Sequence, residues 1–116
     1  MTAKEVYATL NEDYDEVISR LVTDERITKY LKKFADGDGI EPIHGQLAEE
    51  NYEEAFRTIH SLKGMAMNMG LSKLINVSST LCEELRGGKP ENPIDGMIED
   101  VEKEYAHVLE TIALLD

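Results

Sequence analysis

The chain has 116 residues, which suits one small domain built around a single core. Hydrophobic residues make up 41%, ordinary for a globular protein, yet the longest apolar runs, such as residues 112–115, are far too short to span a bilayer. A net charge of −12, from 24 acids against 12 Lys plus Arg, opposes contact with phosphate backbones or anionic lipid and so excludes nucleic-acid and membrane-surface roles.

The N-terminus, Met1-Thr2-Ala3-Lys4-Glu5-Val6, lacks the basic start and apolar run of a signal peptide. Residues 3–10 and 14–22 are predicted as two short helices, or one broken helix, interrupted by Asn11-Glu12-Asp13. Thr23 is a plausible N-cap, with Asp24 and Glu25 in the first turn, for a helix running to about Ala35. After the turn Asp36-Gly37-Asp38-Gly39, a helix over about 41–49 carries Ile40, Ile43 and Leu47 at helical spacing, with Pro42 tolerated in its first turn.

Asn51, with Glu54 three residues on, makes a capping-box-like start for a helix over 52–69. Gly70 can end that helix in a left-handed position, and Ser72 can cap the next one, which extends to Arg86. Beyond the loop Gly87-Gly88-Lys89-Pro90, Asn92 as N-cap and Pro93 in first helical position open a last helix to about Leu115. The predicted fold is all-α: an antiparallel up-down four-helix bundle over about 24–116 with an additional N-terminal helical extension over about 1–22, together one domain spanning 1–116.

Apolar stripes support a bundle. Ala55, Ile59, Leu62, Ala66 and Met69 form one; Leu74, Val77, Leu81 and Leu85 another; Ile94, Met97, Ile98, Val101, Tyr105, Val108, Ile112 and Leu115 a third. At about 100° per residue, Phe56, Lys63, Gly64 and Met67 lie within about 60° of His60, with Arg57 at the edge, whereas Ile59 and Leu62 lie about 100–160° away. The imidazole is therefore expected to face solvent. Its face holds a mid-helix glycine, which costs about 1 kcal/mol relative to alanine, and two apolar side chains on the wet side. That combination describes a flat platform bearing a nucleophile, a cation beside it and a thin spot for close approach.

Charge adds an independent argument. Residues 55–82 contain no Asp or Glu, where even placement of 24 acids over 116 positions would put about six; the same stretch holds Arg57, Lys63 and Lys73. A local potential favouring an anion is expected there, and phosphate is the obvious one.

These residues carry a resemblance. His60-Ser61-Leu62-Lys63-Gly64, continuing Met65-Ala66-Met67-Asn68-Met69-Gly70, resembles the pattern of histidine-containing phosphotransfer (HPt) domains: His-x-Leu-Lys-Gly, small or apolar residues, and a Gly six positions after the first. It is firm over about residues 49–88 and compatible with the whole chain. The resemblance implies that His60 receives a phosphoryl group from the phospho-aspartate of a response-regulator receiver domain and hands it to another receiver. It implies that Lys63 sits near the phosphoryl oxygens, that Gly64 admits the receiver's loops, and that Phe56, Arg57, Met67, Asn68, Ser78 and Ser79 form the docking rim. Partners would be receiver domains and a sensor histidine kinase. No cofactor is expected in this chain, the Mg²⁺ belonging to the receiver. Some family members place a Gln on the second bundle helix; here Ser78, Ser79 or Cys82 occupies that neighbourhood, and the only Gln is Gln46.

The chemistry agrees, since an imidazole with an unperturbed pKa of about 6.5 is an available nucleophile near neutrality. The chain has no Gly-rich phosphate loop and is not itself a kinase. An adaptor bundle that binds receivers or kinases without turnover is the alternative. A di-metal carboxylate bundle is a remote one, since Glu41-x-x-His44 and Glu104-x-x-His107 match the motif but place His107 about 120° from the core stripe. The lone Cys82 excludes an internal disulfide and suits a reducing cytoplasm. The start at Met1 and the end at Asp116 favour a free-standing protein, with monomer as the default state.

Overall fold

The computed structural model describes residues 1–116, all helical apart from turns and loops. Seven helices follow in order: α1 (Ala3–Leu10), α2 (Tyr14–Leu21), α3 (Asp24–Asp36), α4 (Ile43–Ala48), α5 (Tyr52–Asn68), α6 (Ser72–Leu85) and α7 (Asp95–Ile112). Local chemistry explains most starts. Thr2 and Glu5 form a reciprocal capping box, Asp13 and Thr23 cap α2 and α3, and Asn51 accepts from the Glu54 amide. At position 51 only half the predicted box forms, because the Asn51 backbone amide already donates to Gln46 O at 2.8 Å and the Glu54 carboxylate pairs with Arg57.

Predicted boundaries move most in three helices, α4, α6 and α7. Ser72 is the first residue of α6 rather than its cap, its hydroxyl being donated to Glu12 Oε1 at 2.5 Å. Asn92 donates to Glu84 Oε1 at 2.8 Å across the loop, so its side chain caps nothing and α7 begins at Asp95. The end of α7 falls at Ile112 instead of Leu115, where the Met1 ammonium donates to the Leu114 carbonyl at 2.9 Å and draws the last residues out of the helix. The fourth helix is likewise shorter than expected, since tight turns (Glu41 N to Asp38 O, Ile43 N to Ile40 O, both 3.0 Å) occupy its predicted first turn.

The α5–α6 hairpin dominates the fold. Gly70, at φ +67°, ends α5: its amide donates to Met67 O at 3.2 Å, and the Leu71 amide reaches back to Ala66 O at 3.0 Å. A side chain at Gly70 would place its Cβ 2.5 Å from Val17 Cγ2, so glycine is needed for both reasons. Helix α7 packs on α6, α3 on α7, and α1 lies against both α3 and α7. Ala3, Val6, Tyr7, Leu10 and Val17 are buried in the same cluster as the bundle residues, so the N-terminal helices share the core. The Tyr7 hydroxyl donates to Met69 O at 2.5 Å and ties α1 to the end of α5.

The α5 stripe is buried throughout as expected: Ala55, Ile59, Leu62, Ala66 and Met69. On α6, Leu74, Leu81 and Leu85 are buried, but Ser78 and Cys82 are buried with them while Val77 is only half-buried. The reason is that α6 packs against both α5 and α7, which rotates its buried arc from the Val77 side toward Ser78 and Cys82. On α7, Ile98, Val101, Val108 and Ile112 are buried, while Ile94, Met97, Tyr105 and Leu115 pack at the core's edge.

Candidate functional site

Helix α5 carries its core stripe inward and leaves His60 exposed on the opposite side. The imidazole takes part in no hydrogen bond or ion pair within the chain. Its ring rests beside Phe56, one turn earlier, with centroids 5.5 Å apart and planes tilted by 34°. Phe56 is half-buried against the core, which gives the exposed imidazole a fixed apolar wall on one side.

Lys63, one turn on, is half-buried and likewise has no ion-pair partner. Its ammonium lies close enough to α6 to act on the Cys82 thiol and the Glu83 carboxyl. Burial pushes the Cys82 thiol up, against the pull of Lys63 and Arg86. Gly64 is exposed, and a Cβ built there meets nothing within 4 Å, so no contact inside the chain requires glycine. Met67 completes the same face with 54% of its surface exposed.

The rim differs from expectation in particular ways. Ser78 is fully buried and its hydroxyl has no partner, so it offers no surface to another protein; α5 and α7 close over it. Arg57 is exposed but not a free cation: it pairs with Glu53 at 2.7 Å and with Glu54, both one turn back on its own helix. Lys73 turns away altogether, donating to Leu10 O at 2.9 Å and Asn11 O at 3.2 Å, where it caps the C-terminus of α1. Of the three cations in the acid-free stretch, Lys63 alone makes neither a hydrogen bond nor an ion pair. Asn68 is exposed, but its carbonyl accepts from Arg20 at 2.9 Å, anchoring α2 to the end of α5. Ser79 is half-buried, on the side of α6 away from the core stripe.

Two residues join this face that sequence reasoning missed. The Arg86 guanidinium lies over the Phe56 ring, 5.3 Å from its centroid, and forms a forked pair with Glu83 at 2.8 Å. The Arg86 hydrogen bond and charge, with Lys63 adding to them, hold the Glu83 carboxyl below its usual range. The available signal was spacing: Ser79, Glu83 and Arg86 share one face of α6, and the acid-free stretch ends immediately before Glu83. Elsewhere, His44 Nε2 lies 3.3 Å from Glu102 Oε1, His107 is exposed, and nowhere do three His, Cys, Asp or Glu side chains converge as metal ligands. No helix is long and apolar enough to cross a membrane.

The arrangement can place an exposed imidazole nitrogen, beside one free ammonium, against a second protein surface. The Hpt domain family model matches residues 29–113. Comparison with curated proteins and with solved structures found no match. Hpt domains serve phosphotransfer in two-component relays, where they interact with receiver domains and histidine kinases. The match runs from within α3 to the C-cap of α7 and takes in the whole His60 face, so the chain belongs to the Hpt domain family.

Proposed function

We propose that His60 is the phosphoryl-carrying residue of this chain, loaded from the aspartyl phosphate of one receiver domain and unloaded onto the aspartate of another. The observation that carries the reading is the exposed, unpartnered imidazole of His60 with the free Lys63 ammonium one turn away and open space over Gly64. In the loading step, the lone pair of the unprotonated ring nitrogen attacks phosphorus. The bond from phosphorus to the aspartyl oxygen breaks, and the carboxylate leaves with the electron pair while the other ring nitrogen keeps its proton. Unloading reverses this, a second carboxylate attacking phosphorus and the electron pair of the nitrogen–phosphorus bond returning to the ring.

Each neighbour has a part in that chemistry. Phe56 restricts the ring's orientation, so the attacking nitrogen needs little further ordering when the partner docks. Lys63 opposes the charge on the transferring oxygens from a fixed position. Gly64 leaves clearance for the partner's active-site loops, and Phe56, Met67 and Asn68 supply docking surface. The receiver brings the Mg²⁺.

The test is His60→Gln, incubated beside the wild type with a phosphorylated receiver domain. Acid-labile label is expected on the wild type and absent from the variant. Equal labelling of both removes the proposal, and an absence of label on either favours the adaptor reading.

A further inference from the structure

A carboxylate stands where a phosphoryl acceptor would be expected to exclude one. Glu83 is the first acid after 28 residues without any, and it pairs with the guanidinium that lies over Phe56, the ring that in turn flanks His60. Arg86, Phe56 and His60 therefore form one continuous stack from α6 to α5. The same carboxylate also feels, more weakly than Arg86, the Lys63 charge one turn from His60. Arg86 sits at the C-cap of α6, and its exposed side chain is held by Glu83 and Phe56 alone.

A phosphoryl group on His60 would add close to two negative charges beside this stack. Guanidinium binds phosphoryl oxygens in the same forked geometry it uses for Glu83, and the phosphoryl group carries more charge than the carboxylate. An exposed pair within one helix holds itself together by only about two- to fivefold. The phosphoryl group should win that competition, with Glu83 lowering its gain.

We propose that Glu83 is the resting counter-ion of Arg86, and that phosphorylation of His60 draws the guanidinium across Phe56 onto the phosphoryl oxygens. Glu83 and Arg86 are then positioning residues that set how much phosphoryl group His60 retains against a receiver. This rests on the reading of His60 as the phosphoryl carrier. Keeping a competing carboxylate suits a relay intermediate, which must release what it accepts.

The experiment compares wild type, Glu83→Gln, Arg86→Ala and the double variant. Each is first loaded with phosphoramidate, a small phosphoryl donor that needs no docking, while the Arg86 Nε–H resonance is followed by NMR. Each is then equilibrated with a phosphorylated receiver domain, and the label on the two proteins is compared. The Arg86 resonance is expected to move on loading. The ratio of His60-bound to receiver-bound label should rise about two- to fivefold in Glu83→Gln and fall in Arg86→Ala. The double variant should lose most of the Glu83→Gln gain relative to Arg86→Ala, because Glu83 acts chiefly through Arg86 and only weakly on Lys63. An unmoved resonance, an unchanged ratio in Glu83→Gln, or the full gain persisting in the double variant overturns the proposal. If phosphoramidate loads His60 but a phosphorylated receiver does not, the relay reading fails, and the Arg86 resonance still decides the exchange. If neither donor loads His60, both fail.

Discussion

Replacing Gly64 separates what this chain needs for folding from what it needs for a partner. Glycine in the interior of α5 loses about 0.5–1 kcal/mol relative to alanine, through the greater freedom it gives the unfolded chain. That loss is normally explained by a close internal contact or a left-handed backbone. Neither applies here: Gly64 has no positive φ, and a Cβ at this position meets nothing within 4 Å. Gly64→Ala should therefore raise the melting temperature by about 2–5 °C. Gly64→Leu should gain a similar amount, since leucine is nearly as good a helix former. Its side chain, however, would project about 40° around the helix from His60, into the space assigned to the receiver's loops. Overpacking a close interface costs about 1–3 kcal/mol, so phosphoryl transfer at subsaturating receiver should slow about tenfold or more. Thermal unfolding followed by circular dichroism and the rate of label transfer from a phosphorylated receiver measure the two effects independently. Wild-type transfer by Gly64→Leu would falsify the clearance argument. A lowered melting temperature in Gly64→Ala would mean that the glycine serves the chain's own fold.

Lys63→Ala should slow transfer about tenfold or more, as expected for loss of a charge-assisted hydrogen bond of about 1.5–3 kcal/mol, while stability stays within about 0.5 kcal/mol; unfolding of this variant would place Lys63 in the core instead. Ser78→Ala removes a buried hydroxyl without a partner and should stabilise the fold by about 1 kcal/mol in urea titration, with transfer unaltered. A loss of stability there would reveal a hydrogen bond. Burial pushes the Tyr7 phenol above its usual 10.0, so the folded chain holds that proton to higher pH than the unfolded chain. Its contribution is complete below about pH 10 and is lost as pH rises further. Tyr7→Phe should cost about 0.5–1.5 kcal/mol at neutral pH, through the lost bond to Met69 O, and should lessen the alkaline decline in stability. Part of that decline remains, because the Tyr14 phenol is also pushed up, to about 12. An unchanged alkaline slope in Tyr7→Phe would show that the phenol is not buried.

Features that depend on neighbours in sequence were legible from the residues alone. The angle between His60 and Ile59, Leu62, Lys63 or Gly64 follows from helical pitch, so the outward imidazole and the buried stripe of α5 could be derived before any packing was known. Thr23 and Gly70 marked their helix ends because a cap or a left-handed residue acts within one turn. The rotation of α6 was not legible, since it depends on two helices closing over it at once; Ser78 went inside and Val77 to the edge for that reason. Nor was the state of each cation. Arg57, Lys73 and Arg86 carry the same charge in a sequence, yet one is neutralised within its own helix, one caps a distant helix, and one arrives over Phe56 from α6. Long side chains reach partners many residues away, and solvent exposure together with the distance between helices decides which partner prevails. The helix and its outward face are therefore properties of the sequence, whereas the charge around His60 is a property of the assembled bundle.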